Sequence, residues 1–179
     1  MPTERDMDRQ DTARHAPDRE AGLEKLRSLI EGMHVAMLTT QGEDGRLFSR
    51  PLGTQGVERD GDLWFVTGFD SEKVREIEAN PQVNVAYASK DANTYVSISG
   101  IASVTRDRAT IEAHWTPAMS MFFPQGKDDP NLCMLRIEAQ SAEYWDGPGS
   151  AAGKALYFLL TAVTSNPGNL GENARINLQ

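Results

Sequence analysis

Hydrophobic positions along the 179-residue chain follow two rhythms. From about Glu20, Leu23, Leu26, Leu29 and Ile30 keep helical spacing, and Gly32 ends the run. From Val35 the period drops to two: Val35, Met37 and Thr39 alternate with Ala36 and Leu38, as in a strand. Gln41-Gly-Glu-Asp-Gly45 is a turn signal, the next strand runs from Arg46 to about Val57, and a second Asp-Gly turn stands at Asp60-Gly61. Leu63-Trp-Phe-Val66 is continuously apolar, as in a strand covered on both faces. Three strands joined by two tight turns predict a meander.

Beyond it, Ser71 to Asn80 reads as a short helix, with Asp70 or Ser71 as N-cap and Pro81 as its stop. Val83, Val85 and Tyr87 alternate, then Val96, Ile98, Gly100, Ala102 and Val104. Asp107 to Trp115 reads as helical, with Ile111, His114 and Trp115 on one face. Residues 116–131 form a connection rich in proline and glycine. Leu132 to Glu138 and Ala142 to Trp145 read as the last strands, and Gly147-Pro-Gly149 breaks the chain. Leu156, Leu159, Leu160 and Val163 then give an amphipathic helical stripe. The chain from Ser165 is rich in Asn and Gly and is expected to be loose. The pattern predicts a mainly β (α+β) domain of six or seven strands with three or four helices. Closure into a small barrel is the economical way to hide the sheet edges.

Mass and composition narrow the function classes. A 19.7 kDa chain fits one domain, taken here as residues 21–165, between a solvated tail over 1–20 and a C-terminal tail over 166–179. With 18 basic and 26 acidic residues the net charge is -8, which argues against a general nucleic-acid binder. The single thiol, Cys133, forms neither an intramolecular disulfide nor a multi-cysteine zinc site, so a reduced, cytoplasmic setting is expected. Residues 1–20 carry no apolar signal core. The longest apolar run, Ala155 to Val163, falls well short of the ~20 residues that span a bilayer.

Several motifs fail on inspection. Gly153-Lys154 lacks the earlier glycine and the Ser or Thr of a phosphate loop. Ser97-Ile-Ser99-Gly100 lacks the first glycine of a nucleophile elbow. His15, His34 and His114 show no metal-ligand spacing; the first lies in the tail, and the others read as ordinary, partly buried histidines. Cys133 sits in an apolar strand and reads as a small core residue.

Two stretches carry chemistry. In Leu47-Phe-Ser-Arg-Pro-Leu52 a proline interrupts a strand, which suits an edge, and Arg50 can aim its fork at an anion. In Leu63 to Val74 a buried strand ends at Thr67-Gly68, turns, and opens a helix with Ser71 and Lys73 in its first turn. Free N–H groups, a hydroxyl and a lysine at a helix N-terminus make a phosphate site. The macrodipole disfavours a cation there, so Lys73 hints at a bound anion. A capping serine beside a solvated lysine would give the same residues, and Arg50 alone could be an ion-pair partner.

Phe65-Val-Thr67, then Ser71-Glu-Lys73, then Ile77 and Asn80-Pro81 before an alternating strand, resemble the FMN-binding split barrel of the pyridoxamine 5'-phosphate oxidase-like proteins. The resemblance runs from about residue 22 to 165. Ser49-Arg-Pro51, Trp115, Phe122-Phe-Pro-Gln-Gly-Lys-Asp-Asp-Pro-Asn131 and Ala142-Glu-Tyr-Trp-Asp146 resemble the general stress protein 26-like branch. The resemblance implies a six-stranded antiparallel split β-barrel with flanking helices, and a homodimer with flavin at the subunit interface. It implies FMN as first choice and FAD as the other candidate. It places Arg50 at the flavin phosphate, Pro51 and Leu52 beside the ring, Val66 and Thr67 along the ribityl and ring side, Ser71 and Lys73 at the phosphate, and Trp115 near the ring or simply in helix packing, and it counts Ser49 among the cofactor-binding residues.

The departures matter equally. Glu72 stands where the oxidase carries a second arginine, Gln55 where it carries a lysine, and the chain after Trp145 lacks the substrate-binding Arg and His. Pyridoxamine phosphate oxidation is therefore not expected. No residue presents itself as an essential acid or base, so a flavin-dependent oxidoreductase using NAD(P)H or another redox partner stays open beside a flavin carrier. So do a flavin-free interaction module and a barrel that binds deazaflavin or haem.

Overall fold

The structure, a computed structural model, describes residues 19–55, 57–147 and 172–178. The tail expected over 1–20, except its last two residues, and the helix expected over 149–164 lie outside the described residues. Helix α1 (Arg19–Ile30) turns Leu23, Leu26, Leu29 and Ile30 inward. Gly32, at φ +76, ends it in the left-handed region where glycine carries no Cβ penalty. There follow β1 (Val35–Gln41), β2 (Leu47–Gly53), β3 (Asp62–Gly68), α2 (Glu72–Ala79), β4 (Gln82–Ser89), β5 (Thr94–Thr105), α3 (Arg108–His114), β6 (Leu132–Asp146) and β7 (Glu172–Asn177). Two turns of 3-10 helix, Pro117–Met121 and Gly126–Asp128, punctuate the connection before β6.

The strands form one antiparallel sheet in the order β2-β1-β4-β5-β6-β3, with β7 also on β6. The sheet curls around a core but does not close. Strands β2 and β3, at the two ends of the path, form no ladder among the described residues; an isolated Val57–Leu63 bridge is all that follows the Asp60-Gly61 turn. The expected meander is thus corrected after its first hairpin. Pro51 removes a donor from β2 and leaves it an edge strand, while β3 finds a seven-residue ladder with β6, from Asp62–Glu138 to Gly68–Leu132. The result is the split barrel.

Strand β6 is one 15-residue strand rather than two. It follows β5 throughout, and its other edge is shared, first by β3 and then by β7. A bulge between Ser99 and Gly100 bends the pair, and a side chain at Gly100 would strike the Glu138 carbonyl, so glycine is required there. The C-terminal stretch expected to be loose instead supplies β7, whose Ile176 is buried under α1. It has few apolar positions, and its pairing partner is remote in sequence.

Strand β3 is covered on both faces, as its continuous apolar run predicts. Leu63 and Phe65 enter the barrel core. Trp64 and Val66 face a second cluster with Ile111, Phe123, Leu132 and Met134. Each fully buried side chain of this size stabilises the fold by about 1.5–3 kcal/mol. Cys133 is buried, and burial pushes its thiol up to about 11, which makes it an inert core residue. Among the described residues no helix is long and apolar enough to cross a membrane.

Candidate functional site

The unpaired ends of β2 and β3 leave a cleft of about 500 Å3. Pro51, Leu52, Gly53 and Thr54 form one wall, and Val66, Thr67 and Gly68 the other. Met119, Phe122 and Phe123, from the connection before β6, cover one side. The volume and the mostly apolar walls suit a small organic ligand. Behind one wall the Thr54 hydroxyl meets the Tyr87 hydroxyl at 2.9 Å, and burial pushes the Tyr87 phenol up to about 12, so it stays neutral.

Beyond the Thr67–Gly68 wall, β3 hands over to α2. Asn131 braces the turn: its carbonyl accepts from Phe69 N–H at 2.7 Å and its Oδ1 from Asp70 N–H at 3.0 Å. Arg106 packs over the Phe69 ring at 4.7 Å. Ser71 has the extended backbone of an N-cap (φ -75, ψ 153), yet its side chain makes no cap bond. Its Oγ is buried without a hydrogen-bond partner among the described residues. An orphaned hydroxyl costs about 1–3 kcal/mol unless an outside group satisfies it.

Lys73 stands beside it, donating from Nζ to Thr67 Oγ1 at 2.9 Å. Burial, and next the charge of Arg50, lower its pKa. Both effects disfavour the ammonium, and an anion would relieve both. In the first turn of α2 the Val74 N–H already donates to Ser71 O at 3.1 Å, which leaves the Glu72 and Lys73 amides as further donors. Hydroxyl, desolvated cation and helix N-terminus together fit a phosphate group.

Arg50 is engaged differently from its expected place. Its fork grips Glu76 of α2, with Nη1 to Oε2 at 2.7 Å and Nη2 to Oε1 at 2.9 Å, and Nη1 also donates to Thr40 Oγ1 at 2.8 Å. Thr40 in turn donates to Glu76 Oε2 at 2.6 Å. Glu72 Oε2 lies 3.9 Å from Nη2. The Arg50 fork beside it holds the Glu76 carboxyl below its ordinary value. Arg50 thus ties α2 to β2.

The structure gathers Pro51, Leu52, Val66 and Thr67 around the cleft; Ser71 and Lys73 do not line it, and Lys73 reaches it through its hydrogen bond to Thr67. It does not gather Ser49, whose exposed hydroxyl pairs with Thr39 Oγ1 at 2.7 Å on the outer face of the hairpin. Trp115 packs on the second cluster beneath Val66 rather than lining the cleft. His34, expected to be partly buried, is exposed at the cleft mouth. His114 is committed within the fold: it stacks on Trp64 and reaches Thr110 O and Glu58 Oε1, each at 2.9 Å.

Sequence reasoning missed Thr40, Thr54, Glu76, Met119 and Asn131. The one available signal was the Phe122 to Asn131 segment, which carried the resemblance without a role attached. Glu76 falls one turn after Glu72 and is indistinguishable from a solvated glutamate until β2 is placed beside it.

Residues 21–169 match the family model described as pyridoxamine 5'-phosphate oxidase like. Protein bli-3 of Neurospora crassa is 24% identical over 164 residues, covering 86% of this chain and 78% of that protein. General stress protein 26 of Bacillus subtilis is 32% identical over 81 residues, covering 44% of this chain and 57% of that protein. The solved general stress FMN/FAD binding protein of Xanthomonas citri is 30% identical, with TM-score 0.62 over 74% of this chain and 93% of its own. A solved general stress protein 26-type chain from Jannaschia has the same fold, with TM-score 0.67 and 22% identity over 86% of this chain and 96% of its own. Family model, relatives and split sheet converge, and the chain belongs to the pyridoxamine 5'-phosphate oxidase-like family, in its general stress protein 26-like branch.

Proposed function

We propose that the protein binds a phosphorylated flavin in the β2–β3 cleft and acts as a cytoplasmic homodimer with that flavin at the subunit interface. The observation that carries the reading is a buried, unsatisfied Ser71 hydroxyl two residues from a desolvated Lys73 that is bonded to Thr67 on the wall of an apolar cleft. The ring would lie along Pro51 to Thr54, and the phosphate would meet Ser71, Lys73 and the remaining donors of Arg50. A relative of the same fold is an FMN/FAD binding protein, which favours the same ligand class.

The dimer is supported by the outer sheet face. Val35 and Met37 of β1 are 57% and 40% exposed, and Pro51, Ala86 and Ala88 continue the patch through the strand registers to Tyr95 and Trp145. Such a contiguous apolar face marks an association surface, and it adjoins the cleft at Pro51.

A bound flavin supplies electron and hydride transfer; the chain's own residues bind it, orient it and control its exposure. Tyr87 and Cys133 are pushed to about 12 and about 11 and stay protonated near neutrality. Neither is poised as an acid or base. Any turnover would be flavin redox with NAD(P)H or another donor, not pyridoxamine phosphate oxidation. Anaerobic addition of NADH or NADPH to the flavin-loaded protein tests this: bleaching of the bound flavin is expected of a reductase, and none with either nucleotide contradicts a nicotinamide-driven one.

A further inference from the structure

Strand β1 begins one residue after His34, and the hairpin register that pairs Val35 with Gly53 brings His34 opposite Thr54, whose N–H donates to His34 O at 3.1 Å. The backbone thus holds this histidine on the rim of the 500 Å3 cleft, beside the end of the β2 wall. Its imidazole is exposed and makes no hydrogen bond or ion pair among the described residues. His114, by contrast, engages both ring nitrogens, with Thr110 and Glu58.

The cleft has a direction. Thr54 lies four residues beyond Arg50 in extended chain, about 13 Å at the rise of a strand, so His34 stands at the ring end and not at the phosphate end. The lining there divides by polarity: His34, Thr54 and Gln55 carry hydrogen-bonding groups, whereas Met119, Phe122 and Phe123 are apolar. An isoalloxazine divides in the same way, into a pyrimidine edge with carbonyl and N–H groups and a dimethylbenzene edge with none. Matched polarity puts the pyrimidine edge against His34, Thr54 and Gln55.

We propose that His34 tunes the redox poise of the bound flavin: its imidazolium meets the pyrimidine edge and favours the reduced ring. The proposal rests on the flavin reading above. A hydride donor of the reduced nicotinamide class passes two electrons and one proton to the ring and is itself oxidised; the ring gains one negative charge, and the His34 proton stays on the imidazole. A cation a few ångströms from that charge stabilises it, and a neutral imidazole does not. Histidine ordinarily changes charge between about pH 5 and 8, so the effect is present in acid and lost as the pH rises. The charged groups that face His34 are Arg27 and Glu31 of α1, across a neighbouring cleft of about 560 Å3 that shares His34, Thr54 and Gln55. Their charges are opposite, and Arg27 donates to Glu58 O at 2.9 Å. The lining from β3 and from the connection before β6 carries no charge.

The test is the midpoint potential of the FMN-loaded full chain, measured by dye equilibration under argon between about pH 5.5 and 8.5 in wild type, His34→Gln and His34→Lys. At the acid end the wild type is expected to favour reduced over oxidised FMN about tenfold more than His34→Gln does, which is about 30 mV for a two-electron couple. That difference is expected to vanish at the alkaline end, whereas His34→Lys, charged throughout, keeps it across the range. A fluorescence titration is expected to show oxidised FMN bound with similar affinity by all three. Coincident potentials in wild type and His34→Gln at every pH, or a difference that does not change with pH, would overturn the role of His34 and leave flavin binding standing. So would loss of oxidised FMN from His34→Gln alone, which would make His34 a binding residue. Failure of the wild type to bind FMN would overturn both.

Discussion

At the scale of single residues, Ser71, Lys73 and Arg50 look alike on paper as phosphate ligands, but the structure gives them different work. Lys73 is bonded to Thr67 on the cleft wall, and Lys73→Ala is expected to weaken flavin binding by about 1.5–3 kcal/mol in a fluorescence titration, the scale of a hydrogen bond to a charged group. Arg50→Ala is expected to weaken it comparably and also to lower the unfolding free energy, because Glu76, 13% exposed, would lose its fork partner. Unchanged flavin affinity in both variants would refute the phosphate assignment. Glu76 titrates below its ordinary value, so its contribution is present above that ordinary value and is lost as pH falls through the lowered one. Urea unfolding between about pH 3 and pH 7 should therefore show a steeper acid-side loss for the wild type than for Glu76→Gln. Parallel curves would mean that the Arg50–Glu76 pair contributes nothing.

At the scale of elements, what could be read in advance followed from locality. The turn from β3 into α2 is contiguous in sequence, so Thr67, Ser71 and Lys73 could be placed together from spacing alone. Helix α1 declared itself by four apolar positions in helical register. Strand β7 did not, because its two inward residues, Ala174 and Ile176, gain meaning only against β6 and α1. The partner of β3 was misread for the same reason: a nearby turn suggested β2, whereas the seven-residue ladder lies with β6, some seventy residues on. Asn131, Thr40 and Glu76 reach the site through such remote pairings, and no spacing rule could supply them. The α1–β7 contact gives an element-scale test. A methyl group at Gly22 would overlap Ile176 Cγ2, so Gly22→Ala should destabilise the fold by about 1–3 kcal/mol, and Ile176→Leu, which lacks that methyl, should recover part of it in the same chain. Additive losses in the double variant would show that β7 does not pack on α1.

At the scale of the whole molecule, a sheet that fails to close has two consequences. The split between β2 and β3 provides a cleft that a closed barrel of this size would fill with side chains. On the outer face, Val35, Met37, Ala86, Ala88 and Tyr95 form an apolar patch at one end of β1, β4 and β5. Val35→Glu with Met37→Glu places two charges on this face without entering the core, since both side chains point outward. Sedimentation should show the wild type at twice its 19.7 kDa chain mass and the variant at the single-chain mass, with flavin affinity falling by about tenfold or more. A monomeric wild type that binds flavin fully would remove the interface from the account.

The central claim, that this split barrel holds a phosphorylated flavin against Ser71 and Lys73, has one direct measurement. The purified, chromophore-free chain is titrated with FMN and with FAD while flavin fluorescence is followed. Saturable binding at one flavin per subunit, lost or weakened in Lys73→Ala, is the expected result. No saturable binding of either flavin would contradict it, and the fold would then stand as a split barrel with another ligand or with a protein partner on its apolar face.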